Sequence, residues 1–208
     1  MPEATQDHWE QVYADRAPQS VSWFQSEPSL SLQMIAKSGV GTEASVIDIG
    51  AGASNLADHL LDLGFHHITV LDVSATALAV AQSQLGKRAA TVVWKVEDVT
   101  TWTPPPGAFD LWHDRAVFHF LVAQGERDAY LRALNRGVKS GGWVVLATFS
   151  PTGPDRCSGL PVQRYSAGAL QAALGAGFTL MDTESETHVT PGGGGQDFTW
   201  CLFRKIAA

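Results

Sequence analysis

The chain has 208 residues, a formal net charge of −7, 45% hydrophobic residues and 17% charged residues, a balance that suits one globular domain with a sizeable core. The acidic charge argues against a general nucleic-acid binder, which needs a basic face, and the two cysteines, Cys157 and Cys201, make neither a disulfide framework nor a zinc-ligand spacing, so no metal is expected. The sequence shows no basic-then-apolar leader and no apolar run near the roughly 18 residues of a membrane span, so a cytoplasmic protein with no membrane partner is the expectation.

Strand-like and helix-like patterns alternate along the chain. An aromatic-rich leader precedes a helix over Glu27 to Lys37, with Leu30, Met34 and Ile35 on one side. Val46 to Ile49 is a short buried strand. Ser54 is placed to cap a helix carrying Leu56, Leu60 and Leu63, which Gly64 stops. Ile68 to Leu71 is a second strand, and Ser74 caps another helix, with Leu78, Ala81 and Leu85 inward and Gly86 at its end. Val92 to Val96 is a third strand; the prolines at 104, 105 and 106 then force a loop. Phe109 to His113, a helix over Glu126 to Val138, a turn at Ser140-Gly141-Gly142 and a strand from Trp143 to Phe149 follow. Ser166 opens a helix to Leu174. The strands Phe178 to Thr187 and Phe198 to Arg204, joined through Gly192-Gly193-Gly194-Gly195, read as an antiparallel pair with a mobile tip.

The most informative segment is Val46-Ile47-Asp48-Ile49-Gly50-Ala51-Gly52-Ala53-Ser54, with Val70-Leu71-Asp72 after it. An apolar strand ending in Gly-x-Gly, then a helix, then a second strand ending in an acid is the first half of a nucleotide-binding βαβ unit. Glycines there permit a tight turn and close backbone approach, and Asp72 stands where a carboxylate accepts hydrogen bonds from ribose hydroxyls. The third glycine of a dinucleotide fingerprint is absent, with Asn55 in its place.

Asp48-Ile49-Gly50-Ala51-Gly52, Asp72, Glu97-Asp98, Phe109-Asp110-Leu111 and Lys139-Ser140-Gly141-Gly142, in that order and at those separations, resemble the class I S-adenosylmethionine-dependent methyltransferases. The resemblance implies an α/β, Rossmann-like three-layer fold with a seven-stranded sheet of order 3-2-1-4-5-7-6, strand seven antiparallel. It implies one methyltransferase domain, with residues 1–37 as a helical lid and 44–205 as the core. S-adenosylmethionine would be held by Asp72 and Val73 at the ribose, by Asp98 and the Val99 backbone at the adenine, and by Gly50 and Gly52 along the turn. Asp48, His113 and Trp23 would meet its amino-acid end or cover it. A nicotinamide-dependent oxidoreductase and a non-catalytic S-adenosylmethionine-binding module are the alternatives; the missing glycine and the antiparallel tail count against the first.

Acceptor chemistry is expected at the carboxyl ends of the strands. Asp114 and His113 follow strand four and are the candidates for a general base or for orienting an amine. Arg115, His119, Arg164 and His188 are candidate substrate-binding residues. The leader, with Trp9, Tyr13, Ser22, Trp23 and Phe24, resembles that of lysine methyltransferases acting on elongation factors. The run Asp114-Arg115-Ala116-Val117 is equally similar to the Asp-Arg-x-Ala run of bacterial thiopurine-type methyltransferases. The acceptor, a small molecule or a protein lysine, therefore stays open at this point.

Overall fold

The computed structural model describes residues 3–206. Strands β1 (Ser45–Ile49), β2 (His67–Asp72), β3 (Val93–Val96), β4 (Phe109–Arg115) and β5 (Val138–Phe149) alternate with helices. The helices are α1 (Glu3–Asp15), α2 (Ser29–Ser38), α3 (Leu56–Asp62), α4 (Ala75–Leu85), α5 (Gln124–Gly137) and α6 (Ala167–Leu174). A two-residue pair, β6 (Arg156–Cys157) with β7 (Leu160–Pro161), precedes α6, and the long hairpin β8 (Phe178–Val189) and β9 (Gly195–Lys205) ends the fold. The main sheet runs β3-β2-β1-β4-β5-β9-β8. Strands β1 to β5 are mutually parallel, and β9 lies antiparallel to both β5 and β8. This is the expected seven-stranded order, with the hairpin supplying strands six and seven.

The helix ends follow their residues. Ser74 and Ser166 accept from Ala77 N and Ala169 N, closing the first turns of α4 and α6. Gly39 adopts a left-handed conformation after α2. Two segments are more extended than their composition suggests. β5 begins at Val138 rather than Trp143, because Phe109 pairs with Val138 and Leu111 with Trp143, leaving Lys139 to Gly142 as a bulge within the strand. The glycine run is no loose tip: Val189 pairs with Gly195, Thr190 N donates to Gly194 O at 2.8 Å and Gly193 N to Thr190 O at 2.8 Å.

Side-chain alternation divides the core between the two faces of the sheet. Val46, Leu111, Val145, Ala147, Trp200 and Leu202 pack with Met34 of α2 and Leu60 of α3. Ile47, Ile49, Trp112, Val144, Leu146 and Phe203 pack on the opposite side with Tyr130 of α5 and Leu170 of α6. The period of two decides where each site residue of β4 points. His113 and Arg115 belong to the α2–α3 face, whereas Asp114 belongs to the α5–α6 face.

Candidate active site

The site forms along the carboxyl ends of β1, β2, β3 and β4, where the parallel strands stop and the chain turns into helices. Residues Asp48 and His113 are register partners in β1 and β4. His113 Nδ1 lies 2.7 Å from Asp48 Oδ1 and its Nε2 3.0 Å from Ser31 Oγ of α2, all three residues being buried. Facing a carboxylate, Nδ1 carries the proton and donates. This chain fixes Asp48, and all three residues line a cleft with Arg115 of β4 and with Ser54 and Asn55 beyond the β1 turn. His113 both lines this cleft and holds Asp48.

A larger cleft of about 750 Å³, counting the part open to solvent, begins beside it. Asp72 lies at its floor. Its Oδ2 accepts from Gly52 N at 2.7 Å and its Oδ1 from Ser74 N at 2.8 Å. Burial raises its pKa to about 6, although those two amide donors work the other way. Val73 and Val99 line the same end with Leu71, an apolar slot suited to a flat heterocycle. Gly50 and Gly52 both have positive φ, +62° and +56°. The space a Cβ would take is not left for a ligand, however. At Gly50 it is filled by the Val117 side chain and at Gly52 by the Tyr13 hydroxyl.

The leader closes this cleft. Trp9 and Tyr13, one helical turn apart on α1, both line it. Trp23 packs edge-on against Trp9 at 5.6 Å between centroids and donates from Nε1 to the Tyr13 hydroxyl at 3.3 Å. Glu10 ties α1 to the start of α4, accepting from Ala75 N at 2.6 Å, Thr76 N at 3.1 Å and Ser74 Oγ at 3.0 Å. Partial burial opposes its charge, but these hydrogen bonds hold its carboxyl below the usual range.

The far end of the cleft is walled by Phe120, Phe149, Phe198, Cys157 and Gln196. Arg115 reaches into it from β4. Its guanidinium lies 4.9 Å over the Phe198 ring, and Nη1 donates to Trp23 O at 3.0 Å. Nε and Nη2 are sealed from solvent without a protein partner among the described residues.

Several expected site residues are placed elsewhere. Asp114 is not a base: its carboxylate points to the opposite face, accepting from Val117 N at 2.8 Å, Phe118 N at 3.1 Å and Tyr130 Oη at 2.6 Å. Those bonds fix the turn after β4. Asp98 caps its own loop through Thr100 N and Thr100 Oγ1, both at 2.8 Å, and its neighbour Glu97 lines the cleft instead. His119 is buried, with Nδ1 accepting from Phe149 N at 3.2 Å and burial lowering its pKa to about 3. It fastens the segment after β4 to β5 and does not line either cleft. Arg164 is exposed and donates to Gly153 O at 3.1 Å. His188 sits under the leader, its Nε2 donating to Ser22 O at 2.8 Å, and lines only a shallow outer groove. Phe149 was not singled out from the sequence, Tyr13 only as part of the aromatic leader, and Glu97 only as part of the Glu97-Asp98 pair. The signal for Tyr13 was its spacing of four from Trp9, and for Glu97 its position directly after β3.

The cradle fits an S-adenosyl ligand. A buried carboxylate ends β2, an apolar slot adjoins it, and a second buried carboxylate, Asp48, lies near the end of β1. Residues 46–142 match the family described as "Methyltransferase domain". The human EEF1A lysine methyltransferase 2 is 27% identical over 159 residues, covering 69% of this chain and 67% of that protein. The chain spans 32% and 20% of the length of two further curated relatives, a Claviceps purpurea methyltransferase and a mouse eEF1A lysine and N-terminal methyltransferase. Among solved structures, one concerned with converting a disulfide bond into a thioacetal group during echinomycin biosynthesis superposes with a TM-score of 0.78 at 21% identity, covering 97% of this chain and 93% of that one. A Burkholderia thailandensis 1,6-didemethyltoxoflavin-N1-methyltransferase with bound S-adenosylhomocysteine gives 0.69 at 20% identity, covering 98% of this chain and 84% of that one. At these identities the structures establish the shared fold.

Proposed function

We propose that this chain, a class I, Rossmann-like S-adenosylmethionine-dependent methyltransferase, delivers the methyl group to an acceptor seated between Arg115, Phe149, Phe198 and Cys157. The observation that carries this reading is the polarity of the cleft from end to end. Asp72 and the Val73–Val99 slot stand at one end for the nucleoside, and an apolar chamber with one cation stands at the other. Bound S-adenosylmethionine supplies a carbon already activated by sulfonium, so the residues around it need mainly to align the two partners and keep water away. Trp9, Tyr13 and Trp23 of the cap over residues 1–37 do the second, and their faces also suit a sulfonium cation.

We assign Asp48, held by His113, to the amino group of the cofactor's methionine end and Asp72 to the ribose. Both cysteines are buried free thiols, which suits a reducing cytoplasm, and no helix among the described residues is long and apolar enough to cross a membrane. Two acceptor classes come from the relatives: the human relative is named for a lysine of an elongation factor, and the Burkholderia enzyme for a small heterocycle. The test is turnover of S-adenosylmethionine to S-adenosylhomocysteine with a panel of thiols, carboxylic acids, amines and lysine peptides. Appearance of the methylated product with one class supports the reading. Cofactor binding without turnover of any member would make the chain a binding module.

A further inference from the structure

Three features of the acceptor end belong together. First, its one charged side chain in the cleft lining is cationic: Arg115, with two sealed guanidinium nitrogens that no protein group meets among the described residues. The carboxylates of the lining, Asp72 at the end of β2 and Glu97 directly after β3, stand at the nucleoside end. Glu186 feels the Arg115 charge but is engaged by Gln25 Nε2 and Trp200 Nε1, both at 2.9 Å. Second, the other titratable groups that feel Arg115 are committed: Asp48 to His113 and, in the reading above, to the cofactor's amino group, and His188 through Nε2 to Ser22 O. Asp114 is turned to the other face, His113 is held by Asp48 and Ser31, and the one ring nitrogen of His119 that accepts is already engaged by Phe149 N. Third, the chamber is otherwise built from Phe120, Phe149, Phe198 and Trp9, with Cys157, whose thiol burial raises to a pKa of about 11, closing one side and Gln196, a neutral amide whose Oε1 is sealed without a partner among the described residues, on the wall.

An ammonium acceptor would enter a chamber already holding Arg115 and the sulfonium, and would then have to shed a proton with nothing to receive it. Like charges in such an environment repel strongly. We propose, resting on the methyltransferase reading, that the acceptor's nucleophile is itself an anion, a thiolate or carboxylate borne on a small apolar or aromatic molecule, and that Arg115 holds its charge. The acceptor's lone pair forms the new bond to the methyl carbon as the carbon–sulfur bond breaks, its electron pair staying on the departing sulfur. One positive and one negative charge disappear together, and no proton moves. Arg115 thus selects which nucleophile can enter and positions it.

The experiment compares wild type with Arg115→Met and Arg115→Lys in two assays. Calorimetry measures binding of S-adenosylhomocysteine and of 5′-methylthioadenosine, the same nucleoside without the amino-acid end. Turnover is measured on an aryl thiol, an aryl carboxylate, an aryl amine and a lysine peptide. The expected result is turnover of the thiol or the carboxylate alone. Arg115→Met should lower its kcat/KM by about 10- to 100-fold, the scale of a lost charge-assisted hydrogen bond. For a thiol it should also shift the pH–rate profile upward. Arg115→Lys should restore part of the rate, and any loss of nucleoside affinity from releasing the Trp23 carbonyl should be the same for S-adenosylhomocysteine and 5′-methylthioadenosine. Preference for the amine or lysine peptide by wild type overturns the proposal without any variant needing to fold. A loss of S-adenosylhomocysteine affinity in Arg115→Met, with 5′-methylthioadenosine unaffected, also overturns it and gives Arg115 to the cofactor's own carboxylate. Failure of wild type to bind either nucleoside defeats the methyltransferase reading instead.

Discussion

Asp72 and Asp114 are both buried carboxylates with pKa raised to about 6 by desolvation, yet they have opposite fates because they stand on different strands and point to different neighbours. Asp72 accepts only from backbone amides and borders the cleft, so Asp72→Ala should weaken S-adenosylhomocysteine binding about 10- to 100-fold, the scale of charge-assisted hydrogen bonds. A calorimetric titration of the folded variant reads this directly. Its raised pKa sets two opposed pH trends. In the empty protein the folded state binds the proton more tightly than the unfolded chain, whose carboxyl titrates near 3.8. The contribution to stability is therefore full below about pH 4 and is lost as pH rises through 6. Ligand affinity moves the other way, since ribose hydroxyls donate best to the carboxylate. Affinity should rise roughly tenfold between pH 5 and pH 7.5, and Asp72→Asn should flatten that profile. At Asp114 the expectation is structural. Asp114→Asn puts an amide where three donors converge, costing about 1–3 kcal/mol of stability, read as a lower melting temperature, while the folded fraction keeps its cofactor affinity.

At the level of elements, the leader is held at several places rather than hung as a free flap. Glu10 grips the start of α4, the Trp23 carbonyl receives Arg115, and the Ser22 carbonyl receives His188 from the β8–β9 hairpin. The hairpin is therefore part of the site's construction, since His188 and Gln196 brace the leader from below. Breaking the Glu10 grip should loosen the cap locally. Glu10→Gln should speed amide hydrogen exchange across residues 8–25, and added S-adenosylhomocysteine should restore slow exchange, because Trp9, Tyr13 and Trp23 line the cleft it fills. Exchange that is equally slow in wild type and Glu10→Gln, and unmoved by ligand, would make α1 an ordinary packing helix with no part in closure.

Across the whole molecule, the sheet order, the turn after β1 and the carboxylate that ends β2 were legible because each rests on local chemistry. Gly-x-Gly after an apolar run, Ser74 and Ser166 before helical spacing, and an acid ending β2 all act within a few residues of themselves. Asp114 was misassigned because its polar neighbourhood was read without its phase. In a strand, His113 and Asp114 point to opposite faces, and that period alone separates a residue that supports the site from one that fixes a turn on Tyr130. His119, His188 and Arg164 depend on which distant segments meet them: Phe149, Ser22 and Gly153. No spacing in the sequence records those meetings. The glycines were located correctly, but the space they open is taken by Val117 and Tyr13, a long-range packing fact. The central claim is that this cleft is built for an S-adenosyl nucleoside. Calorimetric titration of the full chain with S-adenosylhomocysteine, beside an identical titration with NADH, tests it most directly. The expected result is one saturable S-adenosylhomocysteine site per chain, weakened by Asp72→Ala, and no saturable NADH site. Saturable binding of NADH with none of S-adenosylhomocysteine would contradict it.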